Sequence, residues 1–226
     1  MRKYTTLLFD LDNTLLDFTG AEFICIKELF TRHGLPNDDD SVRLYSKIND
    51  SYWKAFERGE IKAEEIYTGR FDTFGKEKGV RVDSARLAKD YLTLLSCCAI
   101  EKEYCEDLLS YCKEKGYEIS VITNGIAYNQ RSRIERCCIK DYITHLFISE
   151  EIGSKKPARE YFEKVFEKIG EKDKSKILVI GDSVTSDILG AFNAGLDSCL
   201  LTAEKVSLGI EPTYRIESLK DLVNIL

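Results

Sequence analysis

Five short apolar runs, each followed by polar or charged residues, constrain this chain more than any other feature. They cover residues 6–9, 117–122, 145–148, 177–180 and 198–201. A run that is apolar at nearly every position suits a strand buried on both faces, not one with a wet side. Between the runs lie segments of helical period. Cys105, Leu108, Leu109 and Cys112 recur at i, i+3, i+4 and i+7, as do Phe162, Val165, Phe166 and Ile169. Gly116 and Gly170 stand where those helices should stop. Strands alternating with helices predict βαβ units and an α/β fold whose parallel sheet is covered on both faces.

Residues 16–89 break that rhythm. They hold no convincing apolar strand, and their periodic segments read as helices over 21–32, 41–58, 63–78 and 84–94. Turn signals at Gly34-Leu35-Pro36 and Arg58-Gly59 separate them. A helical block placed after the first strand predicts an inserted cap over 16–89, with the core made of 1–15 and 90–226.

The composition narrows the class of function. The 226 residues carry 33 basic and 39 acidic side chains, a net charge of −6 with the two signs interspersed. A nucleic-acid backbone is bound by clustered Lys and Arg, so no nucleic-acid partner is expected. The opening run Met1-Arg2-Lys3-Tyr4 carries no signal-peptide core, and no apolar stretch reaches the ~20 residues of a membrane span. A cytoplasmic address and no membrane partner follow as expectations. Eight cysteines in no CxxC spacing read as thiols in a reducing compartment, most of them packing as small apolar groups.

In an open parallel sheet, ligands gather beyond the carboxyl ends of the strands. The first run delivers Asp10 and Asp12 there, and the second delivers Thr123-Asn124-Gly125. Lys155-Lys156-Pro157 follows the third, and Gly181-Asp182-Ser183 the fourth, with Asp187 five residues after Asp182. Several carboxylates on one edge repel one another unless a cation sits among them. Magnesium suits such an all-oxygen set, and the absence of His or Cys at these strand ends speaks against zinc, copper or non-haem iron. The set matches phosphoryl transfer. Asp10 is the expected nucleophile and Asp12 the general acid and base, while Thr14 fixes their turn. Thr123, Asn124 and one of the lysines, Lys155 or Lys156, are the expected phosphate-binding groups. Any one of these signals alone is ordinary turn or cap chemistry; their joint order is what points to a site.

These motifs resemble the haloacid dehalogenase-like hydrolase superfamily along the whole chain. Asp10, Asp12 and Thr14 match its first motif, Thr123 its second and Lys156 before Pro157 its lysine. Gly181, Asp182 and Asp187 match its fourth. The resemblance implies a Rossmann-like, doubly wound core with a helical cap. It also implies a Mg2+ held by Asp10, Asp182 and the main-chain carbonyl of Asp12, with Asp187 behind them. Relatives that act on halides lack the second acid, so Asp12 implies a phosphate ester. Thr123-Asn124-Gly125, Gln130-Arg131, residues 148–153 and cap residues such as Tyr52-Trp53-Lys54 resemble the branch of pyrimidine 5′-nucleotidases acting on noncanonical nucleotides. Ala99-Ile100 and Cys137-Cys138 depart from that branch.

The expected function is therefore a magnesium-dependent phosphatase of a small phosphate monoester, a pyrimidine nucleoside 5′-monophosphate first, acting as a monomer or homodimer. The rival enzyme readings are a phosphomutase of β-phosphoglucomutase type and a sugar-phosphate phosphatase. A remote one is a non-catalytic phospho-acceptor regulatory domain. Substrate choice is expected from the cap, where Trp53, Phe56, Phe71 and Phe74 either offer a stacking surface or pack the helices together. His33 and His145 receive no catalytic role.

Overall fold

The computed structural model describes residues 3–203 and 209–226, so Met1 and Arg2 of the opening run lie outside it. The chain divides into two compact units, residues 3–17 with 100–226 and Phe18–Ala99.

The first unit is a six-stranded sheet, every neighbouring pair parallel. Its strands are β1 (Thr6–Phe9), β2 (Glu118–Thr123), β3 (His145–Ile148), β4 (Ile177–Gly181), β5 (Asp197–Leu201) and β6 (Tyr214–Ile216). Their order is β3-β2-β1-β4-β5-β6, the doubly wound arrangement the apolar runs and the resemblance called for. The five runs became strands because both faces are covered, and β1 and β4 are buried at every position. On one face, Leu8, Ile122 and Val179 pack with Tyr161, Phe162 and Val165 of the helix Arg159–Lys168 and with Ala191. The helix Cys105–Glu114 packs on β2, burying Cys105, Leu108, Leu109 and Cys112 on the face its spacing predicted. Burial pushes the Cys112 and Cys199 thiols up to about 12, so they behave as apolar fillers.

Helices α1 (Phe18–His33), α2 (Asp39–Glu57), α3 (Ala63–Lys78) and α4 (Ser84–Ser96) form the second unit. Asp38 caps α2 at the Ser41 amide, Asp83 caps α4 at the Arg86 amide, and Gly79 ends α3 with a left-handed φ of 65°. α1 packs on α2 and α4, and α3 on the same two, so the four enclose one core. That core is aromatic: Phe30 stacks on Phe74 at 4.5 Å between ring centroids, and Tyr45 lies 5.1 Å from Phe71. Phe71 and Phe74 are wholly buried in it, whereas Trp53 and Phe56 pair edge-to-face at 5.9 Å and remain half-buried. Packing therefore accounts for two of the four aromatics. The boundary expected at 89/90 moves to 99/100, because the apolar stripe Leu87, Ala88, Tyr91 and Leu95 runs through it on one helix.

Among the described residues, no helix is long and apolar enough to cross a membrane.

Candidate active site

Strand order reverses between β1 and β4, and the two strands run in register with Phe9 opposite Ile180. The next residues are Asp10 and Gly181-Asp182, so the crevice that such a reversal opens has an acid on each wall. The Asp10 amide donates to Ile180 O at 2.8 Å, continuing the ladder to the strand's last position. The chain then turns at once. The Leu15 and Leu16 amides both return to Leu11 O, and Asn13 takes a left-handed φ of 61°, which Asn tolerates better than most residues. Thr14, fully buried, donates to Asp182 Oδ1 at 3.5 Å and ties the turn to β4.

Lys156 reaches this edge from the loop after β3. It is 1% exposed, and its ammonium donates to Asp10 Oδ1 and Asp187 Oδ1, each at 2.7 Å, and to Ile122 O at 3.1 Å. All three of its hydrogens are thus engaged. Burial alone would lower its basicity, but Asp10 and Asp187 more than reverse that, and its pKa lies above the ordinary value. Lys155 is part-exposed, so the choice between the two lysines falls on Lys156. Asp187 sits in the π-turn Val184–Ile188 that follows β4, and its second oxygen accepts from the Ser183 amide at 3.1 Å. Gly181 makes this possible: a Cβ there would lie 2.2 Å from Asp187 Oδ2.

Carboxylate oxygens of Asp10, Asp182 and Asp187 lie within 4.8 Å of one another. Burial raises the Asp10 pKa well above the usual carboxylate range; Lys156 opposes this, and the neighbouring acids add to it. Burial, then Asp187, pushes Asp182 up to about 7. One ammonium thus faces three acids, and the excess negative charge fits a hard divalent cation bound through oxygen.

Asn124, expected on a phosphate, spends both ends of its side-chain amide on the main chain of Lys156: Nδ2 donates to Lys156 O and Oδ1 accepts from Lys156 N, each at 2.9 Å. It therefore holds the lysine loop. Thr123 ends β2 with its hydroxyl accepting from the Gly125 amide at 3.1 Å and from Gln130 Nε2 at 2.9 Å.

Two residues of the helix α5 (Ala127–Ile134) join the site without having been expected in it. Gln130 Nε2 donates to Asp12 Oδ2 at 2.6 Å, and Arg133 Nη1 to Asp12 Oδ1 at 2.5 Å. The Asp12 side chain is 27% exposed, while that of Arg133 is 1% exposed. Gln130 had entered only through the resemblance, and Arg133 not at all. The available signal was Asn129, Gln130 and Arg133 on one face of a helix leaving a strand end. His33 pairs with Asp90 within the helical unit, and His145, which opens β3, lies near Glu118.

Comparison with known proteins agrees with the geometry. The family model of haloacid dehalogenase-like hydrolases matches residues 7–201. The pyrimidine 5′-nucleotidase PynA of Streptococcus pneumoniae is 33% identical, covering 99% of this chain and 95% of its own. The pyrimidine 5′-nucleotidase YjjG of Escherichia coli is 30% identical, covering 99% and 98%. A solved structure of Bacillus subtilis YfnB bound to magnesium superposes with a TM-score of 0.93 at 35% identity, covering 100% of this chain and 99% of that one. With the motif residues gathered at one strand edge and the match running along the whole chain, the protein belongs to the haloacid dehalogenase-like hydrolases, as a phosphatase-type member.

Proposed function

We propose that this protein is a magnesium-dependent phosphatase that hydrolyses a small phosphate monoester through an aspartyl-phosphate on Asp10, with a pyrimidine nucleoside 5′-monophosphate as its substrate. The observation that carries the reading is the convergence of Asp10, Asp182, Asp187 and the buried Lys156 at the strand reversal. Asp10 and Asp182, with the main-chain oxygen of Asp12, would hold the ion; Asp187 is already engaged by Lys156 and the Ser183 amide. When bound, Mg2+ supplies charge neutralisation for the carboxylates and the phosphoryl oxygens.

The chain's own residues do the rest. Asp10 attacks phosphorus as the ester bond breaks, and Asp12 gives its proton to the departing oxygen. Asp12 then takes a proton from water, whose oxygen attacks phosphorus and frees Asp10 and inorganic phosphate. The Thr123 hydroxyl already accepts two hydrogen bonds, so its own hydrogen is left to donate to a phosphoryl oxygen. Lys156 fixes the direction of Asp10 and can transfer a hydrogen bond to the phosphoryl group.

Support for the nucleotide comes from the two relatives named as pyrimidine 5′-nucleotidases. The test is magnesium-dependent phosphate release across nucleoside monophosphates and sugar phosphates. A preference for pyrimidine monophosphates is expected; a flat profile, or one led by sugar phosphates, would remove the nucleotide assignment and leave the phosphatase.

A further inference from the structure

We infer that Gln130 and Arg133 are positioning residues that together aim the Asp12 carboxylate and the Thr123 hydroxyl. The inference rests on the phosphatase reading above and concerns how its acid–base group is held. Both residues are 1% exposed on a helix that is otherwise polar. A guanidinium is rarely buried without a partner, and the charged partner here is Asp12, which stands part-exposed at the crevice.

The hydrogen bonds form a closed set. Arg133 Nη1 donates to Asp12 Oδ1 at 2.5 Å and to Gln130 Oε1 at 3.2 Å. Gln130 Nε2 donates one hydrogen to Asp12 Oδ2 at 2.6 Å and the other to Thr123 Oγ1 at 2.9 Å. Turning the Gln130 amide over would set its oxygen against the carboxylate and its hydrogens against Arg133, so the set admits one orientation. Both Asp12 oxygens are then fixed in direction. With the Gly125 amide as second donor, both lone pairs of Thr123 Oγ1 are also used, and its hydrogen points elsewhere. One glutamine thus orients two groups with different tasks.

Gly125 serves the same arrangement. It is outside the left-handed region, so its backbone does not require glycine, yet a Cβ there would lie 2.1 Å from Gln130 Nε2 and 2.6 Å from Cδ. A side chain at 125 must push the Gln130 amide away from Asp12.

The experiment compares kcat/KM for p-nitrophenyl phosphate, whose leaving group needs no proton, with that for an alkyl phosphate, whose leaving group does. Wild type, Gln130→Met, Arg133→Met, Arg133→Lys and Gly125→Ala are assayed with Mg2+ as full chains, with folding checked by circular dichroism. Gln130→Met and Arg133→Met should lose at least ~10-fold more on the alkyl ester than on the nitrophenyl ester. Arg133→Lys should recover part of that difference. Gly125→Ala should reproduce Gln130→Met, and the two together should be no worse than either alone. Equal losses on both esters, or additive effects of Gly125→Ala and Gln130→Met, would overturn the inference and leave a structural role. If Arg133→Met does not fold, the Gly125 and Gln130 variants still decide. A wild-type protein that releases phosphate from neither ester would instead overturn the phosphatase reading, and the inference with it.

Discussion

Each of the two units buries a polar cluster, and the two clusters differ in charge. In the helical unit, Asn49 Nδ2 donates to Glu22 Oε1 at 2.6 Å, and Arg70 Nη1 donates to Asn49 Oδ1 at 2.7 Å. Glu22, Asn49 and Arg70 are all at or below 4% exposed, and the guanidinium lies 4.9 Å from the Tyr91 ring centroid. One acid and one base, joined by an amide, leave no net charge. At the sheet edge, Asp10 and Asp187 pair with Lys156 and Asp182 stands beside them, so three acids face a single base. Burial by itself therefore does not mark chemistry, since both clusters are buried; an unbalanced charge that a ligand must complete does.

The largest break in this comparison comes from Lys156→Met. It leaves three acids with no cation and should lower stability by about 3–5 kcal/mol in denaturant unfolding without metal, along with most of the phosphate release. Added Mg2+ should recover part of the stability. A variant as stable as wild type would show that the carboxylates do not depend on the ammonium.

Arg70→Met tests the balanced cluster. Burial raises the Glu22 pKa against the opposing effects of Ser46, Arg70 and Asn49, so removing the guanidinium raises the cost of that charge. A loss of about 2–3 kcal/mol is expected, unaffected by Mg2+. Glu22→Leu with Arg70→Met should be less damaging than Arg70→Met alone. A magnesium-dependent loss would mean that the two clusters are not independent.

The remaining effect is on pH. Asp182 binds its proton more tightly in the folded chain, at about 7 against an ordinary 3.8. Its contribution to stability is fully present below pH 3.8 and is lost as pH rises through 7. The metal-free protein should lose stability over that window from this group, and Asp182→Asn should flatten the slope. Thermal melting at a series of pH values, with and without Mg2+, reads it; a metal-free stability that climbs over that window would contradict the sign.

The sequence made the sheet edge legible because Asp10, Thr123 and Asp182 each stand at the end of an apolar run, where the chain has to leave the sheet. Lys156 was legible from its place before a helix. Arg133 was not, because a charged residue on a polar helix reads as solvated; only the tertiary fold turns that face onto Asp12. The Glu22–Asn49–Arg70 relay was hidden for the same reason, its members coming from three different helices. β6 escaped notice because three residues, one of them Arg215, carry too little periodicity to read. The fourth helix of the insertion ran past its expected end because no Gly or Pro stops it before Cys97.

The most direct measurement is to quench the protein during turnover of p-nitrophenyl phosphate with Mg2+ and locate the phosphoryl group by mass spectrometry of the peptides. A phosphoryl group on Asp10 is expected, absent without Mg2+ and absent from a folded, inactive Asp10→Asn. Phosphate release by Asp10→Asn at the wild-type rate, or an adduct on any other residue, would contradict it.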